Sequence, residues 1–437
     1  MAWWTARTCK TIPIARVEVG MFIVGLDRSW LRTPFFRHSW LVEREEDLAT
    51  LKAAGVRFVT IDPAKGKDVA APSAVHPQPP EPSGGQSVAG SAPVASPDGQ
   101  AKGSNPVAQL AKEMHEATAV RTEALAAVER VFAGIKTGVP LDAPALRLAV
   151  QQTYEGLMRY PTALLAVTQL QQMKRLNKDL FAHAVDVCTL SLILGQADGL
   201  SESLLMDLGM GALLHDVGQT RLPQNVMQKQ GTWSEYERRI VRLHPHLGLT
   251  MLSSAPTVSD DVRAIVYQHH ERLDGSGYPD GLSGTRLSLL GQIVGIVDTY
   301  DAMAVRRDNR PALPPCQGIR RLYRLGQQAL FDRLLVEQLI HVLGVYPVGS
   351  LVELTTDEQA VVVAVNQEAR LAPIVKLLTD AQGRPIDDPP TVDLAEPARG
   401  GPARAIVRAV EGMDGVSHLH DSISITKKHL AATEYCP

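Results

Sequence analysis

Seven side chains able to bind a metal occur in order between positions 183 and 298. They are His183 in FAHAVDVC, His215 and Asp216 in GALLHDVG, His244 in VRLHPHLG, His269 and His270 in QHHERLDGSGYP, and Asp298 in GQIVGIVDTYD. Neutral imidazole and carboxylate together suit a first-row ion such as Fe, Mn, Zn or Ni. Taken alone, His183 on an apolar helix reads as a hydrogen-bonded core residue. The adjacent pair His215-Asp216 is harder to explain by packing, because ionisable groups in an apolar segment must be paired or metal-bound. Neighbouring helical positions point about 100° apart, so this pair serves one ion only at a helix edge or end. Gly218 permits such an end. Pro245 places His244 near a helix start, whereas His246 faces elsewhere and reads as a supporting or surface residue. His269 and His270 close an apolar helix before a glycine-rich loop. Asp298 ends an apolar run, with Asp301 one turn further along. Packing does not explain this joint coincidence, and the set is read as a metal centre.

The glycines of DGSGYPDGL, Gly277 among them, let backbone approach a phosphate or nucleobase. With the HD and HH pairs, this loop resembles the HD-GYP family of metal-dependent phosphodiesterases, which hydrolyse the bacterial second messenger cyclic di-GMP. The resemblance implies one ion held by His183, His215, Asp216 and Asp298. It implies a second held by His244, His269 and His270, with Asp216 as bridge, the two cations roughly 3.5 to 4 Å apart. Iron or manganese is implied. Some members hold a third ion through a Glu four residues before the first histidine; this chain has the shorter Asp179 there, read as a solvated carboxylate and a weak candidate ligand. In the family, Tyr278 and Pro279 of the GYP motif shape the pocket and contact partners. Arg307 and Arg310 match two basic positions that hold the substrate's phosphates and guanines, work suited to the planar guanidinium.

The chain departs from the family pattern at Gln219, where HDxGK becomes HDVGQ. Glutamine keeps a donor but drops the lysine charge at the scissile phosphate, a loss on the scale of the ~10²- to 10³-fold cost of one preorganised donor. Asp308 and Asn309 also replace the usual Pro-Tyr. Neither change removes a ligand. The expectation is a phosphodiesterase yielding pGpG and further GMP, slowed at Gln219. The alternative is a catalytically weak sensor of cyclic di-GMP or metal that acts through protein partners at the GYP loop or the N-terminal domain. A homodimer is compatible with either.

The rest of the chain must position these residues. Its 437 residues suffice for two or three domains, and a net charge of −3 gives no basic field for a nucleic-acid polymer. The four cysteines are far apart, with no CxxC pair, which points to a reducing cytoplasm. Neither a signal peptide nor a membrane-spanning run is evident. Residues 1–65 read as a small α+β domain with a strand pair turning at Val19-Gly20, and its wording resembles the small uncharacterised domain often found before HD-GYP modules. Trp30, Phe35 and Phe36 read as its core or its docking surface. Residues 66–106, rich in Pro, Gly, Ser and Ala, read as a disordered tether. Residues 107–350 carry helical periodicity throughout and read as an all-helical HD-type phosphohydrolase domain. Residues 351–437 read as a β-rich appendage. The fold class expected is multidomain and mainly α.

Overall fold

The computed structural model describes residues 10–26, 40–67 apart from 43, 46–47, 49–50, 53–55, 62 and 64, and 106–410 apart from 176–178, 230, 254, 306–311, 367–368 and 397–401. Trp30, Phe35, Phe36, most of the expected tether and residues 411–437 lie outside these. The chain divides into two compact units, Met1–Gly103 and Ser104–Pro437.

In the first unit, strands β1 (Lys10–Pro13), β2 (Phe22–Leu26), β3 (Trp40–Leu41) and β4 (Phe58–Ile61) form an antiparallel sheet ordered β1-β4-β2-β3. The expected pairing of the first two strands is therefore corrected. The chain does turn at Gly20, whose φ of +97° suits glycine, but β4 lies between β1 and β2 and pairs with both. Ile12, Ile23, Val59 and Ile61 make the buried face.

The second unit is built on helices α1 (Pro106–Lys136), α2 (Ala143–Arg159), α3 (Pro161–Lys174), α4 (Leu180–Ala197), α5 (Glu202–Leu214), α6 (Gln224–Met227), α7 (Glu235–Val241), α8 (His244–Leu252), α9 (Asp260–Gln268), α10 (Leu289–Ala304), α11 (Pro315–Gln327) and α12 (Arg333–Leu343). Their starts are written locally. Asp142, Asp179, Ser201, Ser259 and Ser288 each accept a hydrogen bond from a first-turn backbone N–H. The α4 segment is apolar on all sides and packs against α1, α3, α5, α10 and α12. By length and hydropathy it is a helix that could cross a membrane, yet 78% of that window is buried inside the protein. Its composition is that of a core helix.

The C-terminal strands β5 (Leu351–Leu354), β6 (Gln359–Ala364), β7 (Ile374–Leu377), β8 (Thr391–Asp393) and β9 (Ile406–Ala409) form an antiparallel sheet ordered β8-β7-β6-β5-β9. Alternation along β6 divides its side chains. Val361 and Val363, with Val365 and Ile374, join the helical core, while Ala360 and Val362 face a separate cluster with Val352, Leu354 and Val375. The sheet is thus a layer of the helical body. Ending the chain at residue 350 should expose that core, at about 1.5–3 kcal/mol for each aliphatic side chain lost. We expect the thermal midpoint to fall by at least ~10 °C; an unchanged midpoint in calorimetry would show the sheet to be independent.

Candidate metal centre

The candidate ligands gather at helix ends and along two buried helices. His215 is the C-cap of α5, and His269 that of α9. His244 opens α8, as Pro245 requires. His183 lies in the first turn of α4. Asp298 lies mid-helix on α10, which continues beyond it to Ala304 and so carries Asp301 on the next turn.

Three glycines bring these segments into contact. A Cβ on Gly218 would lie 2.0 Å from the His244 carbonyl oxygen, one on Gly295 2.5 Å from that of His269, and one on Gly277 2.6 Å from that of His270. Gly218 thus serves the crossing with α8 rather than a helix cap, because after Leu214 the chain passes into a 3₁₀ segment, Val217–Arg221. Gly277 admits the chain's own backbone, with Glu271 Cα at 2.4 Å from the added Cβ.

Asp216 lies between two sets of donors. Its Oδ2 is 3.8 Å from His183 Nε2 and 3.6 Å from His215 Nε2. Its Oδ1 is 3.1 Å from His244 Nε2 and 3.9 Å from His269 Nε2. Asp298 places Oδ1 3.2 Å from His183 Nε2 and Oδ2 3.8 Å from His270 Nδ1. Within each of the groups His183–His215–Asp298 and Asp216–His244–His269–His270, the donor atoms lie within 4.8 Å of one another.

The ring nitrogens show whether this set fits a cation. His215 Nδ1 donates to the Ala212 carbonyl at 2.7 Å, His244 Nδ1 to Val241 at 2.7 Å, and His269 Nδ1 to Val266 at 3.0 Å. A carbonyl can only accept, so Nδ1 carries the hydrogen and Nε2 presents a lone pair. The Nε2 atoms of His244 and His269 then face each other at 3.2 Å, a repulsive arrangement that a cation relieves. Imidazole and carboxylate donors, with His183, His215, His244 and His269 each oriented by an outer hydrogen bond, fit a divalent transition ion.

Protonation follows burial and neighbouring charge. Burial, reinforced by the other histidines around them, holds His215 below and His269 well below the ordinary imidazole range, and drives His270 down to about 3. For Asp298 burial works upward, but His183 and His270 outweigh it and keep the carboxyl well below its usual range. His183 is the exception. Burial disfavours its charge, yet Asp301 and Asp298 hold it up at about 9, so a proton occupies a donor that metal binding would have to displace. Asp301 Oδ2 is 2.6 Å from His183 Nδ1, and its Oδ1 accepts from Gln172 Nε2 at 2.7 Å.

Beside this cluster, the Tyr278 ring stacks on His270 with centroids 4.6 Å apart, and the bond to Pro279 is cis. The loop is held by Glu271, only 3% exposed, which accepts from the Asp280 N–H at 2.8 Å and the Leu282 N–H at 3.0 Å. The Arg242 guanidinium lies 5.1 Å from the Tyr278 ring.

The structure brings together His183, His215, Asp216, His244, His269, His270 and Asp298, with Tyr278 alongside. Asp179 is exposed and lies in neither donor group; its carboxylate caps α4 through the Phe181 and Ala182 N–H groups. Gln219 is buried in the 3₁₀ segment. Arg307 and Arg310 fall outside the described residues. The sequence reading gave no role to Asp301, Gln172 or Glu271. The spacing of Asp298 and Asp301, one helical turn apart, was the available signal for the first. Gly218→Ala should shift α8 and weaken Mn(II) binding by tenfold or more, on the ~10- to 100-fold scale of lost ligand support. Gly134→Ala, where the added Cβ meets only Val139 at 3.4 Å, should leave binding unchanged. Equal affinities in calorimetric titration of the two variants would refute the steric argument.

Residues 161–335 match the family described as HD domain, residues 9–145 that described as domain of unknown function (DUF3391), and residues 351–412 that described as KOW domain associated with HD domain. The chain is 31% identical over 376 residues to the cyclic di-GMP phosphodiesterase PA4108 of Pseudomonas aeruginosa, covering 86% of each protein. It is 36% identical over 143 residues to the cyclic di-GMP phosphodiesterase response regulator RpfG of Xanthomonas campestris pv. campestris, covering 32% of this chain and 38% of that one. A cyclic di-GMP phosphodiesterase of Thermotoga maritima is 30% identical over 175 residues, 39% of this chain and 48% of that one. Likeness of this extent, over a site of this construction, makes the chain a member of the HD-GYP family of phosphodiesterases, with a domain of unknown function ahead of its HD domain.

Proposed function

We propose that the chain hydrolyses cyclic di-GMP to pGpG, and onward to GMP, with two divalent transition ions, iron or manganese. The observation that carries this reading is Asp216, whose two carboxylate oxygens face different histidine sets. The names of PA4108 and of the Xanthomonas and Thermotoga relatives support the substrate. Ions held there would supply Lewis acidity to a phosphodiester.

The chain's own residues orient and select. His215, His244 and His269 are fixed by their carbonyl partners, so each Nε2 points inward without rotation. Burial holds the Tyr278 hydroxyl well above its ordinary range, which keeps it a phenol able to donate to an oxygen beside His270. Gln219 offers amide hydrogens without charge. That neutral side chain favours a second reading, a weakly active sensor of the dinucleotide.

Two experiments test these statements. Elemental analysis of anaerobically reconstituted protein should give two transition ions per chain. Asp216→Ala should lose both ions and all turnover of cyclic di-GMP, while His246→Ala, an exposed ring beside Tyr267, should keep them. Equal damage from the two substitutions would sink the bridged centre. Separately, Gln219→Lys should raise kcat on cyclic di-GMP by about tenfold or more with little change in KM, because the added charge acts in the transition state. Brisk wild-type turnover with no gain from lysine would remove both the slowed-enzyme and the sensor readings.

A further inference from the structure

We infer that Arg121, on helix α1, is a positioning residue for the candidate ligand His183, acting through a buried chain of alternating charge: Asp186, Arg175 and Asp301. The inference rests on the reading of His183 as a metal ligand and extends it to residues that touch no metal.

The chain is continuous. Arg121 donates from Nε at 2.9 Å to Asp186 Oδ1, and its terminal nitrogen lies 2.8 Å from the same oxygen. Asp186 Oδ2 accepts from Arg175 at 2.9 Å, and the other terminal nitrogen of Arg175 reaches Asp301 Oδ2 at 2.5 Å. That same Asp301 oxygen is the one 2.6 Å from His183 Nδ1. The side chains of Arg121, Asp186, Arg175 and Asp301 are 11%, 0%, 6% and 2% exposed.

Charges so buried are tolerated only while each is compensated by its neighbours. Arg175 is one rigid plane with two nitrogens on two carboxylates, so its orientation is set at both ends. Arg121 holds the far oxygen of Asp186 and thereby fixes the end remote from the metal centre. Without Arg121, a fully buried carboxylate keeps a single cation, and Arg175 is drawn towards it at the expense of Asp301. The Asp301–His183 contact then loosens, and with it the ring orientation that aims Nε2 at Asp298 and Asp216. Arg121 lies outside the 161–335 segment that matches an HD domain and inside the 9–145 match. Support for this ligand therefore comes from a helix the HD segment does not contain.

The test titrates Mn(II) into metal-free full-length protein by calorimetry, with thermal unfolding recorded for every variant. His183→Ala and His244→Ala identify the two binding steps. Arg121→Met should weaken the His183 step by about 10- to 100-fold, while the other step moves less than about threefold. Arg121→Lys, which restores the charge, should recover part of the loss. The double variant Arg121→Met/Asp186→Asn leaves no uncompensated carboxylate and carries the test where the single variant fails to fold. It should remain weakened, because the Arg175 fork still lacks its outer anchor. Wild-type affinity in the folded double variant would show that Arg121 merely neutralises buried charge, and would overturn the inference. So would unchanged binding in Arg121→Met, or equal weakening of both steps. Wild-type protein that takes up no ion would instead overturn the metal reading of His183, and this inference with it.

Discussion

A charge removed from water must be compensated by the groups around it, and the helical body of this protein is arranged to meet that constraint. Asp216, Asp298, Asp301 and Asp186 all lie in a densely apolar interior. Isolated, each would carry a desolvation penalty of several kcal/mol. The protonated His183 answers Asp298, and guanidinium groups on one side complete the balance for Asp186 and Asp301. At Asp216 the inward lone pairs of His215, His244 and His269 leave the charge to be met by the cation this site fits. The polar centre is therefore as constrained in geometry as the aliphatic core around it, since no side chain in it can turn without stranding a partner.

Secondary structure supplies part of that geometry without extra cost. A helix end leaves carbonyl groups without partners, and His215 and His269 each give one of them a ring N–H three residues on. One hydrogen bond thus finishes a helix and orients a ligand. The glycine contacts act at the next level. Each brings a neighbouring segment against the carbonyl of a histidine, so helix spacing and ligand spacing are the same quantity.

Much of this was legible in the amino-acid order, and what was hidden has a physical reason. Helical periodicity, cap residues and Pro245 are local signals, so the helices and the place of His244 at a helix start could be read directly. The place of Asp216 between two histidine sets was implied by the family resemblance, while the residues themselves marked only two ionisable neighbours at an apolar helix end. The insertion of β4 between β1 and β2 was not legible, because alternation marks a strand without naming its partner. Gly218 was read as a conformational device, whereas its role is spatial and depends on a segment distant in sequence. Arg175 shows the limit best. Nothing near it marks a buried fork, since one of its two carboxylates lies 126 residues away. Glu271 was quoted within the motif, yet its task of gathering loop N–H groups needs the folded turn to be seen.

The span of the centre along the chain has a consequence for its biosynthesis. His183 and the carboxylate that aims it are separated by 118 residues. At a ribosomal rate of ~5–20 residues per second, that interval takes roughly 6 to 24 s. Throughout it the nascent chain carries an α4 segment as apolar as a membrane span, with His183 still short of the carboxylates of Asp298 and Asp301. An ion arriving then would meet only scattered imidazoles. A centre built this way would take up its ion only in the finished helical body, once translation and packing have both passed Asp301.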